Sequence, residues 1–283
     1  MVNNMIWNVK SMVIFFLKNY RKSDAFKYIF SLFLLISLLM SVLSIFFLRS
    51  IVNEFVPNFI QVSHYPAPIL EDIYNFAWAS IAIYLPVLAA SFFGSTSISS
   101  DIESKNIYHF MTMPVSKEEF LLSKLISCYI ASILAVFLFV LVQLITYLII
   151  FRSLPNPAFV NYIFVLFLII LTDTIGAMAF SSIVKKGSYS PIGFIVVFLL
   201  ITNIISLLIS GMTTLDDGYI ITNAQRVAYL VFLNIDPYFM VYTGSLSSIS
   251  VSAELLSIYI QLGYTAVFSF ILYVFFMRRG EIS

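Results

Sequence analysis

The sequence predicts an all-α integral membrane protein with six transmembrane helices, and three observations carry that prediction. Hydrophobic residues make up 61% of the 283-residue chain and charged residues only 10%, a ratio that no single soluble core could hide. Six windows approach or reach the roughly 20 apolar residues needed to cross a hydrocarbon layer about 30 Å thick. They fall at 28–48, 73–98, 125–150, 162–183, 191–210 and 256–277. These runs are continuously apolar, with no period-2 alternation, which excludes a β-barrel. The chain 1–283 therefore reads as a single transmembrane domain.

Residues 1–26 precede the first span. Met5, Ile6, Trp7, Val9, Met12, Val13 and Phe16 interleave there with Asn8, Lys10, Ser11 and Lys18 at helical spacing. The pattern predicts an amphipathic interfacial helix on the inner membrane surface, anchored by Trp7 and the lysines. A fully inserted stub would force Lys10 to snorkel from mid-segment. Positive charge ahead of an apolar run also marks signal peptides. This run is too long, however, and ends Phe47-Leu48-Arg49 without a small-residue cleavage site, so it is expected to stay as a span.

The second window is the least apolar. It holds Trp78, Ser80, Ser91, Gly94, Ser95 and a helix-bending Pro86, so it is expected inside the bundle with little lipid contact. Residues 99–124 then form a charged island that is expected to sit in water. A short helical turn leads to a break at Met113-Pro114, and a new helix starts at Ser116, where Glu119 three residues on completes a capping box. Glu103, Lys105, Tyr108, Lys117, Glu118 and Glu119 offer a partner both signs of charge and an aromatic anchor. An ordinary solvated connector is the alternative.

In the fourth span Asp173 stands between Thr172 and Thr174. An acid at mid-span costs about 2.5–3.5 kcal/mol on insertion scales, so it must face the bundle, find a partner or be protonated. Two readings stay open. Asp173 is a polar point on a substrate path, or an interhelical hydrogen bond to a Ser, a Thr or Asn203 of a neighbouring span. Small residues spaced by four, at Ser37/Ser41, Ala90/Gly94 and Ser206/Ser210, mark faces where helices can approach closely. The outer segment 211–255 is too apolar over Val227–Leu233 to be a solvated loop. It is expected to form a re-entrant or interfacial helix ending near Asn234-Ile235-Asp236-Pro237, with a serine-rich return through Gly244.

Cytoplasmic loops retain basic residues. With the N-terminus inside, twelve of the fifteen Lys and Arg residues fall on inner pieces, and only Arg49, Arg152 and Arg226 lie outside. Both termini are therefore expected in the cytoplasm. The net charge of +1 and the lack of a basic tract argue against nucleic acid as a partner. The single cysteine, Cys128, permits no intramolecular disulfide and reads as a small buried side chain. No metal site is expected, because the two histidines, His64 and His109, fall on opposite sides of the membrane.

The inner loop reads Asp101-Ile102-Glu103-Ser104, then Ile107-Tyr108-His109-Phe110, then Pro114-Val115-Ser116-Lys117, with Lys124 further on. In this the chain resembles the ABC-2 type permeases, the membrane subunits of a class of ATP-binding-cassette transporters. The family usually shows Gly-Thr where Lys105-Asn106 stands here. The interfacial helix, six spans, outer re-entrant region and Arg278-Arg279 ending add weaker marks.

The resemblance implies a multi-pass subunit of a prokaryotic cytoplasmic membrane, in contact with membrane lipid and paired with a second permease subunit, like or unlike itself. Two soluble ABC ATPase subunits would dock beneath the inner loop, making Asp101, Glu103, Lys105, Tyr108, Pro114, Ser116, Lys117, Glu118 and Glu119 the ATPase-coupling residues. The chain has no Gly-x-x-x-x-Gly-Lys-Ser/Thr cradle, so ATP and Mg would be bound by the partner, and neither a catalytic residue nor a cofactor is assigned here. The family mostly exports. The rival readings are a non-transporting immunity or assembly protein and a proton-coupled secondary carrier using Asp173, although no internal repeat supports the latter.

Overall fold

The computed structural model describes residues 2–55, 67–106, 115–184, 186–212, 219–232 and 251–279. Among them are six helical stretches long and apolar enough to cross a membrane. We number the helices α1 (Val2–Lys22), α2 (Asp24–Phe55), α3 (Ala67–Ala82), α4 (Leu85–Phe93), α5 (Ser99–Glu103), α6 (Lys117–Phe151), α7 (Ala158–Ile183), α8 (Ser190–Ile195), α9 (Thr202–Met212), α10 (Ile221–Gln225), α11 (Val227–Leu230) and α12 (Val251–Arg279). A π-helical segment, Val196–Ile201, joins α8 to α9 into the fifth span.

α1 is amphipathic and separates from α2 at Ser23, whose hydroxyl donates to the Tyr20 carbonyl (2.7 Å) and accepts from the Phe26 amide (3.3 Å). Its buried Phe16 meets Phe120 of α6 edge-on at 5.8 Å, while Lys10 and Lys18 stay exposed. α2 lies against α6 through its small-residue stripe, where the Ser41 and Thr146 hydroxyls are 2.7 Å apart. That contact lies within the chain. The outward face of α2, with Leu35, Leu39 and Phe46, is exposed.

The second span breaks between α3 and α4, at Ile83 and Tyr84. Pro86 sits at the start of α4, where its missing N–H is harmless to α4 but ends the ladder from α3. This span is interior as expected, with Trp78 fully buried and its Nε1 donating to Ser44 Oγ at 3.0 Å. α7 is equally central. About two thirds of its most apolar window (67%) is buried, against 17% in the fifth and sixth spans. Gly94 explains how α4 and α7 come so close, since a Cβ there would lie 3.0 Å from Ala177 Cβ and 3.1 Å from the Thr174 carbonyl.

Between the fifth and sixth spans, α10 and α11 turn back into the bundle. Ile221, Ala224, Val227, Ala228 and Phe232 are buried, with Phe232 against Tyr162 (5.4 Å) and Tyr229 edge-on to Phe76 (5.3 Å). Val227, Ala228, Val231 and Phe232 of the apolar run are thus hidden by protein, which is the condition for short, broken helices within a bundle. Asn234, Ile235, Asp236, Pro237 and the serine-rich return lie outside the described residues.

Candidate functional site

The end of the bundle that holds α5 and the start of α6 carries a cluster of polar contacts. Helix α6 begins at Ser116, in extended backbone, with the expected capping box. Ser116 Oγ accepts from the Glu119 amide (3.1 Å), and Glu119 Oε2 accepts from the Ser116 amide (3.0 Å). Two turns into α6, Lys124 is 4% exposed and turned toward the protein. Its ammonium pairs with Asp101 of α5 and donates to the Ser97 carbonyl. It also lies over the rings of Phe16 (5.3 Å) and Phe120 (5.2 Å), a cation–π sandwich between α1 and α6. A single buried cation thus ties together α1, the end of the second span, α5 and α6.

α5 is held from its other side by the loop between spans four and five. Ser181 Oγ, at the C-terminal end of α7, accepts from the amides of Ile98 (3.1 Å) and Ser99 (2.9 Å), taking up two donors that α5 cannot satisfy itself. Glu103 Oε2 accepts from the Gly187 amide at 2.8 Å. Gly187 keeps this approach close, since a Cβ would lie 3.1 Å from Ser100 Cα and 3.2 Å from Glu103 Oε2. Beside this joint, the Tyr20 hydroxyl is 3.1 Å from Cys128 Sγ, which donates to the Phe93 carbonyl at 3.2 Å. Burial, reinforced by Cys128, pushes the Tyr20 phenol well above its ordinary value.

Within 99–124, expected in water, several of the described side chains turn into the protein while others stay exposed. Ser99 is fully buried, Lys124 is buried, Glu119 is spent in the cap, and Asp101 is half-buried in its ion pair. Their charges are used to fasten α5 to the bundle. Lys105, Ser116 and Glu118 remain exposed and Lys117 half-exposed, with the Tyr273 hydroxyl 3.4 Å from Glu118 Oε1. Tyr108 and Pro114 lie outside the described residues. Lys105 holds φ 59°, the left-handed conformation, at the place where a glycine was expected from resemblance.

Asp173 is fully buried in α7, and its Oδ1 accepts from Gln225 Nε2 of α10 at 2.6 Å. The expected partner, a Ser, Thr or Asn203 in a neighbouring span, is not the one found. Asn203 Nδ2 instead donates to the Leu199 carbonyl at 2.5 Å within its own helix. Sequence reasoning missed Gln225 because it belongs to the outer segment, which folds back only through tertiary packing. The same short helix is fixed by Gln261 Nε2 donating to the Ala224 carbonyl (3.2 Å), by Ser257 donating there too, and by Asn223 Nδ2 donating to Ser206 (2.7 Å). Among the described residues, no group of three or more His, Cys, Asp or Glu could hold a metal ion.

A family model described as "ABC-2 family transporter protein" matches residues 8–280 of the chain. No curated protein matches it.

Proposed function

Because the chain belongs to the ABC-2 family of transporter proteins, we propose that it is the permease half of an ATP-driven exporter, coupled to its ATPase through α5 and the start of α6. The observation that carries the reading is the way α5 is mounted. Lys124, Ser181 and Gly187, from three different parts of the bundle, hold a five-residue helix as a stiff extension of the second span. A force applied at the rim of Lys105, Lys117 and Glu118 would pass through these contacts into α1, α6 and α7. Steric rigidity of this kind is what a mechanical coupling element needs.

In this reading ATP and Mg are bound by the soluble partner, this chain contributes no catalytic group, and a second permease subunit completes the translocation path. Both termini face the cytoplasm, in line with the excess of basic residues on inner pieces.

The test is a mild-detergent pull-down of the tagged chain from native membranes, beside a Lys105→Glu/Lys117→Glu variant. Neither substitution touches the Lys124 or Glu103 contacts, and Glu in the first turn of α6 suits the helix dipole. A Walker-motif ATPase that accompanies the intact chain and is lost from the variant supports the coupling assignment. Absence of any ATPase from the intact chain refutes it and returns the reading to an immunity protein or a secondary carrier.

A further inference from the structure

The carboxyl group of Asp173 is paired on one side only. Its Oδ1 accepts from Gln225 Nε2 of α10, while Oδ2 is buried without a hydrogen-bond partner in a residue that is itself fully buried. An ionised carboxylate needs donors on both oxygens, and one neutral amide does not supply them. A protonated acid fits these surroundings better. The hydrogen then sits on Oδ2, and Oδ1 still accepts from Gln225 as a carbonyl oxygen.

The elements packed against α7 supply no countercharge. The ion pairs among the described residues are Lys27–Asp24 and Lys124–Asp101, neither of which involves Asp173. α4 and α8 carry no ionisable residue. On α12, Thr265 meets Thr172 (2.8 Å), and Glu254 and Arg278 lie about three turns or more from Thr265. On α6, Lys124 holds Asp101, Glu119 closes the Ser116 cap, Cys128 donates to the Phe93 carbonyl and Tyr129 to that of Phe167. Glu103 of α5 accepts from Gly187, and Tyr229 of α11 packs on Phe76. Arg226 and Tyr84 are exposed and border, with Gln225, a recess that has room for about one water. Gln225 turns its amide nitrogen toward Asp173, which suits an acid and offers a cation no second oxygen from that side.

The other hydrogen bonds that seat α10 are neutral. Ser257 and Gln261 of α12 donate to the Ala224 carbonyl, and Asn223 donates to Ser206 of α9. Of these contacts, only the one at Asp173 can change its charge.

We propose that Asp173 is a proton-binding site that latches α10 into the bundle. With hydrogen on Oδ2 the acid stays buried beneath Gln225. On release, the O–H bond breaks, the proton passes to water, the electron pair stays on Oδ2, and the carboxylate is hydrated as α10 lifts. The seated form holds one proton more than the lifted form, so rising pH favours lifting and falling pH favours seating. This goes beyond the exporter reading and does not rest on it.

The experiment uses the purified full chain in phosphatidylcholine nanodiscs. The infrared difference between the parent and Asp173→Asn at neutral pH should show the C=O stretch of a protonated carboxyl group in the parent only. Thr222→Cys then reports the seat of α10, because Thr222 is buried and its hydroxyl makes no bond for the thiol to lose. Its labelling by a water-soluble maleimide is followed with and without Asp173→Asn, which divides out the thiol's own titration. The parent chain, with Cys128 buried, gives the blank. Between about pH 6 and 8 the ratio of the two rates should rise by up to about tenfold per pH unit, the limit for one linked proton. Asp173→Ser takes the place of Asp173→Asn if the latter melts below the parent. A parent without the protonated-carboxyl band overturns the proposal, as does a labelling ratio that stays flat with pH. Neither readout needs an ATPase, so a failed pull-down leaves the latch standing and rejects only the exporter reading.

Discussion

Replacing Lys124 with Met removes the cation from the centre of the junction between α1, α5 and α6 while keeping an unbranched side chain of similar length. Three interactions are lost together: the Asp101 ion pair, the bond to the Ser97 carbonyl, and the contacts with the rings of Phe16 and Phe120. The Asp101 side chain is 16% exposed, so the carboxylate left behind is only partly rehydrated. Breaking one side of a buried pair costs about 3–5 kcal/mol, and partial exposure puts this case at the lower end, about 3 kcal/mol. Asp101→Asn keeps a hydrogen-bond acceptor for the ammonium and is expected to cost about half as much. In the double variant the stranded carboxylate is gone, so the two losses should fall short of their sum by about 1–2 kcal/mol. Thermal melting of the four proteins in detergent closes the cycle. Strict additivity, or a Lys124→Met variant as stable as the parent, would refute the view that this pair fastens α5 to the bundle.

The glycines offer a second check of packing. Gly94→Ala should lower the melting temperature, because the new Cβ would press on backbone at 2.9 and 3.1 Å, whereas Gly263→Ala, with nothing within 4 Å, should be neutral or gain up to about 1 kcal/mol of helix propensity. Gly187→Ala should reduce ATPase association or turnover more than it reduces melting, since it displaces Glu103 and Ser100 at the rim of the junction; unchanged coupling would count against a rigid α5. Lys105→Gly should stabilise by about 1 kcal/mol by relieving the left-handed backbone at φ 59°, and a fall in ATPase association at raised stability would separate the lysine's charge from its conformation. Asp173→Asn keeps an acceptor for Gln225 and should insert, fold and support transport nearly as the parent does, while Asp173→Leu leaves the Gln225 amide unpaired and should cost about 1–3 kcal/mol in melting. Loss of transport by a well-folded Asp173→Asn protein would place the carboxylate on the substrate path.

The fold class was legible in the chain because membrane insertion is decided by local composition. Six long apolar runs, Pro86 in the second and the Ser116/Glu119 cap before the third are all short-range signals, and each has its counterpart in the structure. The resemblance drawn from the inner loop agrees with the family match over 8–280. Partner choice was not legible in the same way. A charged residue near a membrane end carries no mark of whether it faces water or a half-buried acid 23 residues away, so Lys124 and Asp101 read as solvent-facing in the sequence although they pair in the fold. Asp173 announced its need for a partner, yet Gln225 lies 52 positions on, in a segment whose re-entry depends on burial between other helices. The sequence by itself determined which segments cross the membrane and where helices start. Only the tertiary structure decided which polar groups meet, because a buried hydrogen bond is selected by the packing of distant segments and leaves no periodicity in either one.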